Sequence, residues 1–310
     1  MSGEGDFIAL MRDLAAPDSA RALLDDVAVL RAHGTLVLTT DTMAEGVHYL
    51  PGDPPETVGW KIAAVNLSDL AAKGARPIGC LVNYALSGDA AWDAAFARGL
   101  GEAVARFGMP VLGGDTISML QGMLRSISLT AIGQATCEPV PSRTGAHPGD
   151  QLYITGPVGN AGAGLRLLQA GKAEPADLIE AYRRPMPRIE AGRAFAPSAN
   201  ASMDVSDGLL IDAQRMAQAS NVAIVIDHVP ISGSLAALKG RTIEARIEAA
   251  CAGDDYELLF AMPPEFVPPA GSTLIRVGEV VEGEGLKLLL DGQVQVLPSR
   301  LGWEHGAGQN

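Results

Sequence analysis

Aspartates recur in this chain in one kind of setting, beside a short apolar run. Asp41 follows "LVLTT", Asp26 lies in "LLDDVAVL" (Leu23 to Leu30), Asp115 in "VLGGDT", and Asp204 and Asp207 in "SMDVSDGLL". Each run reads as a buried strand, so the acids are expected at strand ends, where α/β folds assemble their sites. A single such aspartate caps a turn or a helix; repetition is what favours convergence. Carboxylates brought together repel and need a counter-charge. Oxygen donors without a Cys or His cluster suit Mg²⁺, and Thr39 and Thr40 add neutral oxygens beside Asp41.

Asp69 differs in lying on a helix. "KIAAVNLSDLAAKGA" is apolar on nearly every face, so Asn66, Ser68 and Asp69 are expected at least half-buried. A bare carboxylate there is costly. Its compensation is a cation, a neighbouring helix end, or Lys73 one turn on. The stretch "TGPVGNAGAG" (Thr155 to Gly164) fits neither GxxxxGK[ST] nor GxGxxG, and reads as a tight turn with close helix packing. In "GGDT", Gly113 and Gly114 let the backbone approach a ligand where Asp115 appears. From the residues alone His48 is a surface or packing histidine and Arg143 a solvated charge.

These groups need a large scaffold. At 310 residues, with 47% hydrophobic and 19% charged residues, the chain has the composition of a globular protein of two domains. A net charge of −13 argues against nucleic acid, and a phosphorylated small molecule would need a cation as intermediary. No apolar run reaches the roughly 18 residues of a membrane span. The N-terminus has no basic block followed by an apolar one, so a cytoplasmic location is expected. The three cysteines, Cys80, Cys137 and Cys251, show no CxxC spacing and are expected unpaired.

Periodicity and stop signals predict a helix near Phe7–Leu14, a first strand near Val27–Leu30, the "LVLTT" strand, and a helix from Glu56 to Lys73 closed by Gly74. "IGCLVNYALS" reads as a strand without the charges that protect an exposed edge. A helix over residues 90–107 and strands at "MPVL" and "LRSISLTAIGQA" complete an α/β unit. The Pro- and Gly-rich "CEPVPSRTGAHPGD" links it to a second alternation of strands and helices, which ends in a hairpin at Asp291-Gly292. The domains are expected at 1–137 and 138–310.

Taken in order, "TTDTMAEGVHYL", "GWKIAAVNLSDLAAKGARP", "GGDT", "SRTGAHPGD", "RRPMPRIEAG", "DVSDGL", "GDDYEL" and "LGWEH" resemble the thiamine-monophosphate kinase family, over about residues 4 to 305. The wider superfamily includes aminoimidazole-ribotide synthetase. The resemblance implies an α/β (α+β) fold of two domains, with the N-terminal sheet pairing across a homodimer and ATP between the domains. It implies direct transfer of the γ-phosphoryl of ATP to thiamine monophosphate, with several Mg²⁺ ions. Carried over by residue, Asp26, Thr39, Thr40, Asp41, Asp69, Asp115, Asp204 and Asp207 hold metal. Gly114, Asp115, Arg143 and Ser206 contact ATP, and His48, Asp254 and Trp303 contact the thiamine phosphate. The chain departs from the family at Leu24, where glycine is usual, at Asp254, where glutamate is usual, and at Ile117-Ser118-Met119. Two alternatives stay open: another ATP-using member of the superfamily with a different acceptor, and a non-catalytic protein that binds divalent cations.

Overall fold

The computed structural model describes residues 3–16, 18–25, 27–119 and 123–304. Contact clustering divides the chain into two units, 1–70 with 75–136, and 71–74 with 137–310.

The first unit runs α1 (Glu4–Arg12), β1 (Leu36–Ala44), α2 (Pro55–Ala72), β2 (Arg76–Leu86), α3 (Ala90–Phe107), β3 (Val111–Ser118) and β4 (Ser126–Gln134). Its sheet has the order β1-β4-β2-β3, antiparallel except for the β2–β3 pair. α3 follows its local signals to the residue. Asp89 caps it by accepting from the Ala91 N–H at 2.9 Å, and Gly108 ends it in the left-handed region at φ 64°. α2 and α3 cross in backbone contact: a Cβ on Gly59 would lie 2.1 Å from the Phe96 carbonyl oxygen, and one on Gly99 1.8 Å from that of Glu56. That closeness lets Ile62, Leu67, Leu70, Phe96 and Leu100 bury completely.

Three expectations are corrected in this unit. No strand forms at Val27–Leu30; the Val29 N–H donates to the Ser19 carbonyl at 2.8 Å, and Val27 and Val29 are exposed. β1 does not end at Asp41, because β4 pairs with it residue for residue, from Leu36 opposite Gln134 to Ala44 opposite Ser126. A full ladder of backbone hydrogen bonds carries the strand through its polar residues, and β3 likewise runs past Asp115 to Ser118. Finally, β2 is no edge, since β4 and β3 flank it and the edges are β1 and β3.

The second unit contains β5 (Gln151–Ile154), α4 (Asn160–Gln169), α5 (Ala176–Arg183), α6 (Ile189–Phe195), β6 (Ala201–Val205), α7 (Leu209–Ser220), β7 (Ala223–Ile226), α8 (Gly233–Lys239), α9 (Ile243–Ala250), β8 (Glu257–Met262), β9 (Ile275–Val281), β10 (Gly285–Leu290) and β11 (Gln293–Gln295). Its sheet order is β11-β10-β7-β9-β5-β8-β6, mixed, with only β10–β7 parallel. Leu152, Met203, Leu210, Met216, Ile224, Leu259 and Leu288 belong to one core. The expected hairpin is present, with Asp291 and Gly292 at φ 53° and 76° between β10 and β11. The glycine stretch packs as expected. A Cβ on Gly164 would meet the Leu178 carbonyl at 2.0 Å, which keeps α4 against α5. α8 was not anticipated, although Ser232, whose hydroxyl accepts from the Leu235 N–H, marks its start.

Candidate functional site

In the first unit the sheet sorts the predicted ligands by face. Side chains alternate along β1, so Thr39 and Asp41 share one face and Thr40 the other. On the first face, the Thr39 hydroxyl donates to the Asp69 carboxylate from α2. Among the described residues this contact, and not a helix end or Lys73, is the partner of Asp69. On the opposite face the Thr40 hydroxyl donates to the Leu129 carbonyl at 3.2 Å and accepts from Thr130 at 3.1 Å. The set that shares a face is therefore Thr39, Asp41 and Asp69. One turn before Asp69, the fully buried Asn66 gives its amide N–H to the Ile62 carbonyl, while its Oδ1 has no hydrogen-bond partner among the described residues.

Asp115 stands beside Asn83 in the β2–β3 register, and Asn83 beside Ser128 of β4, which places Asp115 on the Thr40 face. Its Oδ1 accepts the Thr116 N–H at 3.0 Å. Gly114 is required by the protein itself: a Cβ there would lie 1.8 Å from the Val82 carbonyl oxygen. The neighbouring strand alone therefore demands glycine at 114, while Gly113, with its nearest contact at 3.6 Å, has ordinary room. Gly114 and Asp115 do line a cavity of about 350 Å³, with Phe7, Met11, Leu23 and Val27 around it. That is a volume suited to a small organic ligand. Asp26 lies outside the described residues. His48 follows β1 and is tied down locally, its Nδ1 accepting the Ala44 N–H at 3.0 Å and its carbonyl the ammonium of buried Lys61 at 3.0 Å.

In the second unit Asp204 is buried on β6, and Ser206, Asp207 and Asp254 form one backbone knot after it. The Asp254 N–H donates to the Ser206 carbonyl at 2.7 Å, and the Trp303 N–H to that of Asp207 at 2.9 Å. Asp254 and Tyr256 take left-handed φ values of 69° and 51°, costly for non-glycine residues, and the Tyr256 hydroxyl donates to Asp254 Oδ1 at 3.1 Å. Trp303 lies under the Arg300 guanidinium, 5.4 Å from the ring centre. Its backbone ties the tail to the Asp207 loop. Arg143 is exposed, with its carbonyl accepting from Ser220 at 3.0 Å.

Further polar residues that reading the sequence did not single out support this knot. Asp212 is fully buried and accepts the N–H groups of Asp207 and Gly208 at 3.0 and 3.2 Å. Arg215 bridges Asp212 Oδ1, at 2.8 Å, and Asp207 Oδ2. Burial pushes the Asp212 carboxyl up to about 6, against the pull of the Asp207 N–H and the Arg215 guanidinium. At the start of β8, buried Glu257 takes a two-point ion pair from Arg188, with 2.8 Å to Nε, and a hydrogen bond from Thr155. Next to it Asp255 accepts the Gly159 N–H at 2.7 Å, and burial raises its carboxyl well above the usual range.

Among the described residues no three His, Cys, Asp or Glu side chains gather closely enough to hold an ion by themselves. The fit to Mg²⁺ rests instead on hard oxygen donors: the hydroxyl and carboxylates of Thr39, Asp41 and Asp69, with the buried Asn66 Oδ1 one helical turn before Asp69.

Comparison with known proteins supports one family. The family model for the AIR synthase related protein N-terminal domain matches residues 24–135, and that for the C-terminal domain residues 147–291. The thiamine-monophosphate kinase of Caulobacter vibrioides is 40% identical, over 98% of this chain and 91% of its own. The crystal structure of thiamine-monophosphate kinase from Stenotrophomonas maltophilia superposes with a TM-score of 0.81 at 34% identity, covering 94% of this chain and 96% of that one. The structure of AaThiL complexed with AMPPCP and TMP superposes with a TM-score of 0.79 at 35% identity, covering 98% and 97%. With both domain models matched in order and relatives similar end to end, the chain belongs to the thiamine-monophosphate kinase family of AIR synthase related proteins.

Proposed function

We propose that the face formed by Thr39, Asp41 and Asp69 serves ATP-dependent phosphorylation of thiamine monophosphate to thiamine diphosphate. The observation that carries this reading is the Thr39–Asp69 contact, which sets a hydroxyl and a carboxylate from β1 and α2 on one face with Asp41. The acceptor explains why no general base is needed. A phosphate monoester has its second pKa near ~6, so its attacking oxygen is largely anionic at neutral pH. The obstacle is repulsion between two anions, made worse by a protein of net charge −13. Transfer is therefore a matter of positioning and charge neutralisation, and no covalent enzyme intermediate is needed. Mg²⁺, when bound, would supply neutralising positive charge at the phosphates.

In the first unit Asp26, Thr39, Asp41 and Asp69 are the proposed holders of one Mg²⁺, and Thr40 and Asp115, on the other face of the sheet, of a separate ion. Gly114 and Asp115 present the wall of the 350 Å³ cavity to ATP. The similarity to AaThiL, whose structure carries AMPPCP, an analogue of ATP, and TMP, supports both substrates. In the second unit Asp204 and Asp207 are further proposed metal ligands, Ser206 and Arg143 proposed contacts of ATP, and Asp254, Trp303 and His48 of the first unit the proposed contacts of the acceptor. A homodimer through the first unit is part of the same reading. Leu38, Leu81 and Ile117 leave apolar side chains exposed on that unit's sheet, where a second copy finds surface to cover. A cytoplasmic location belongs to the same reading; none of the described helices is long and apolar enough to cross a membrane.

One assay decides among the readings. Incubated with ATP, thiamine monophosphate and Mg²⁺, the protein is expected to form thiamine diphosphate and ADP in equal amounts. ADP without thiamine diphosphate would indicate a different acceptor, and Mg²⁺ binding without either product a non-catalytic protein.

A further inference from the structure

Asp207 already has a counter-cation within the protein. The Arg215 guanidinium, two turns into α7, reaches back to Asp207 Oδ2 and through the same Nη1 holds Asp212 Oδ1 at 2.8 Å. The two carboxylates are not equivalent. Asp212 is sealed, its side chain 1% exposed and its second oxygen fixed by the N–H groups of Asp207 and Gly208. Asp207 faces outward, its side chain 26% exposed and that of Arg215 33%. The backbone beneath Asp207 is pinned as well, by Asp212 on one side and by the Trp303 N–H at 2.9 Å on the other. The contact that can open is therefore the one between side chains, Arg215 to Asp207, while Asp212 keeps hold of the arginine.

We propose that Arg215 is an exchangeable counter-cation: it neutralises Asp207 until a divalent cation displaces it, and Asp212 retains the guanidinium once it has let go. The inference rests on the reading of Asp207 as a metal ligand. A carboxylate oxygen engaged by a guanidinium has less charge to offer a metal until that contact breaks. A divalent ion brings twice the charge and wins the exchange above a threshold concentration, which Arg215 sets. Because the pair is part-exposed, the threshold is modest.

The test measures Mn²⁺ binding to the full-length protein without nucleotide, from the electron paramagnetic resonance signal of free Mn²⁺. Wild type, Arg215→Gln, Asp207→Asn and the double variant are compared, each checked for its fold by circular dichroism. Arg215→Gln is expected to tighten Mn²⁺ binding about fivefold, equivalent to ~1 kcal/mol, and to change nothing when Asp207→Asn is already present. Arg215→Lys, which lacks the planar fork, shifts the same way by about twofold and stands in should the glutamine variant not fold. If Asp207→Asn weakens Mn²⁺ binding but Arg215→Gln leaves it equal or weaker, the exchange is wrong and Arg215 is only a brace. Equal tightening on top of Asp207→Asn also overturns it, as a general charge effect. If Asp207→Asn binds Mn²⁺ like wild type, it is Asp207 as a ligand that fails, and the exchange falls with it.

Discussion

Replacing Arg188 by methionine tests the polar support behind the Asp254 loop. Glu257 sits directly after that loop, its side chain 5% exposed, and receives three hydrogen bonds, two from Arg188 and one from Thr155. It has no room to turn away, since a Cβ on Gly156 would lie 2.4 Å from its Oε1. Arg188→Met removes two of the three donors and the counter-charge together. Losing one partner of a buried pair costs about 3–5 kcal/mol, whereas a surface pair is worth ~0–1 kcal/mol. The Arg188 side chain is 37% exposed, so solvent screening holds the expected loss to about 2–3 kcal/mol. Adding Glu257→Gln should recover at least half of it, because the stranded charge is gone. Urea unfolding of both single variants and the double gives the cycle, and hydrogen exchange at the β8 amides gives the same comparison locally. A loss below about 1 kcal/mol for Arg188→Met, or a double variant no better than the single, would refute the view of this pair as a buried brace.

Three further outcomes follow from the same geometry. Gly114→Ala should destabilise the protein by at least about 1–3 kcal/mol and raise the KM for ATP, because its Cβ meets the Val82 carbonyl at 1.8 Å; Gly113→Ala, with its nearest contact at 3.6 Å, is the tolerated control in the same melting and kinetic measurements. Burial raises the Asp255 carboxyl above its unfolded value near 3.8, so the folded state binds the proton more tightly. Stability relative to Asp255→Asn is then expected to fall as pH rises from about 4 through the folded value and to level off above it, a trend that urea titrations across pH read directly. Trp303→Ala and Asp254→Asn should raise the KM for thiamine monophosphate several-fold with that for ATP nearly unchanged, and Asp254→Glu should be tolerated; equal losses for both substrates would remove these residues from the acceptor pocket.

The elements that were legible in the sequence are those set by local chemistry. Asp89 and Gly108 bracket α3, and Asp291-Gly292 makes its turn. Elements that depend on a distant partner were misread. β1 continues past Asp41 because β4, some 90 residues on, lies alongside it, and β2 is internal because β3 returns parallel to it. The site divides in the same way. Acid clusters and a carboxylate in an apolar helix are visible along the chain, and the Thr39–Asp69 contact answers why that carboxylate is tolerated. The Arg188–Glu257 brace joins two quoted motifs but spans 69 residues, and nothing in either segment names its partner. Arg215 is a different case: its three-residue spacing from Asp212 on one helix is a signal that a reading of charge patterns can use.

Thr39, Asp41 and Asp69 are proposed to support direct, Mg²⁺-dependent transfer of the γ-phosphoryl group. The most direct measurement follows label from γ-³²P-ATP into thiamine diphosphate, for wild type and for Asp69→Asn, a change that keeps the side chain's volume. Wild type is expected to form one labelled thiamine diphosphate per ADP, and none without a divalent ion, while a folded Asp69→Asn protein loses about a hundredfold or more. Wild-type turnover and unchanged Mg²⁺ dependence in Asp69→Asn would contradict that role.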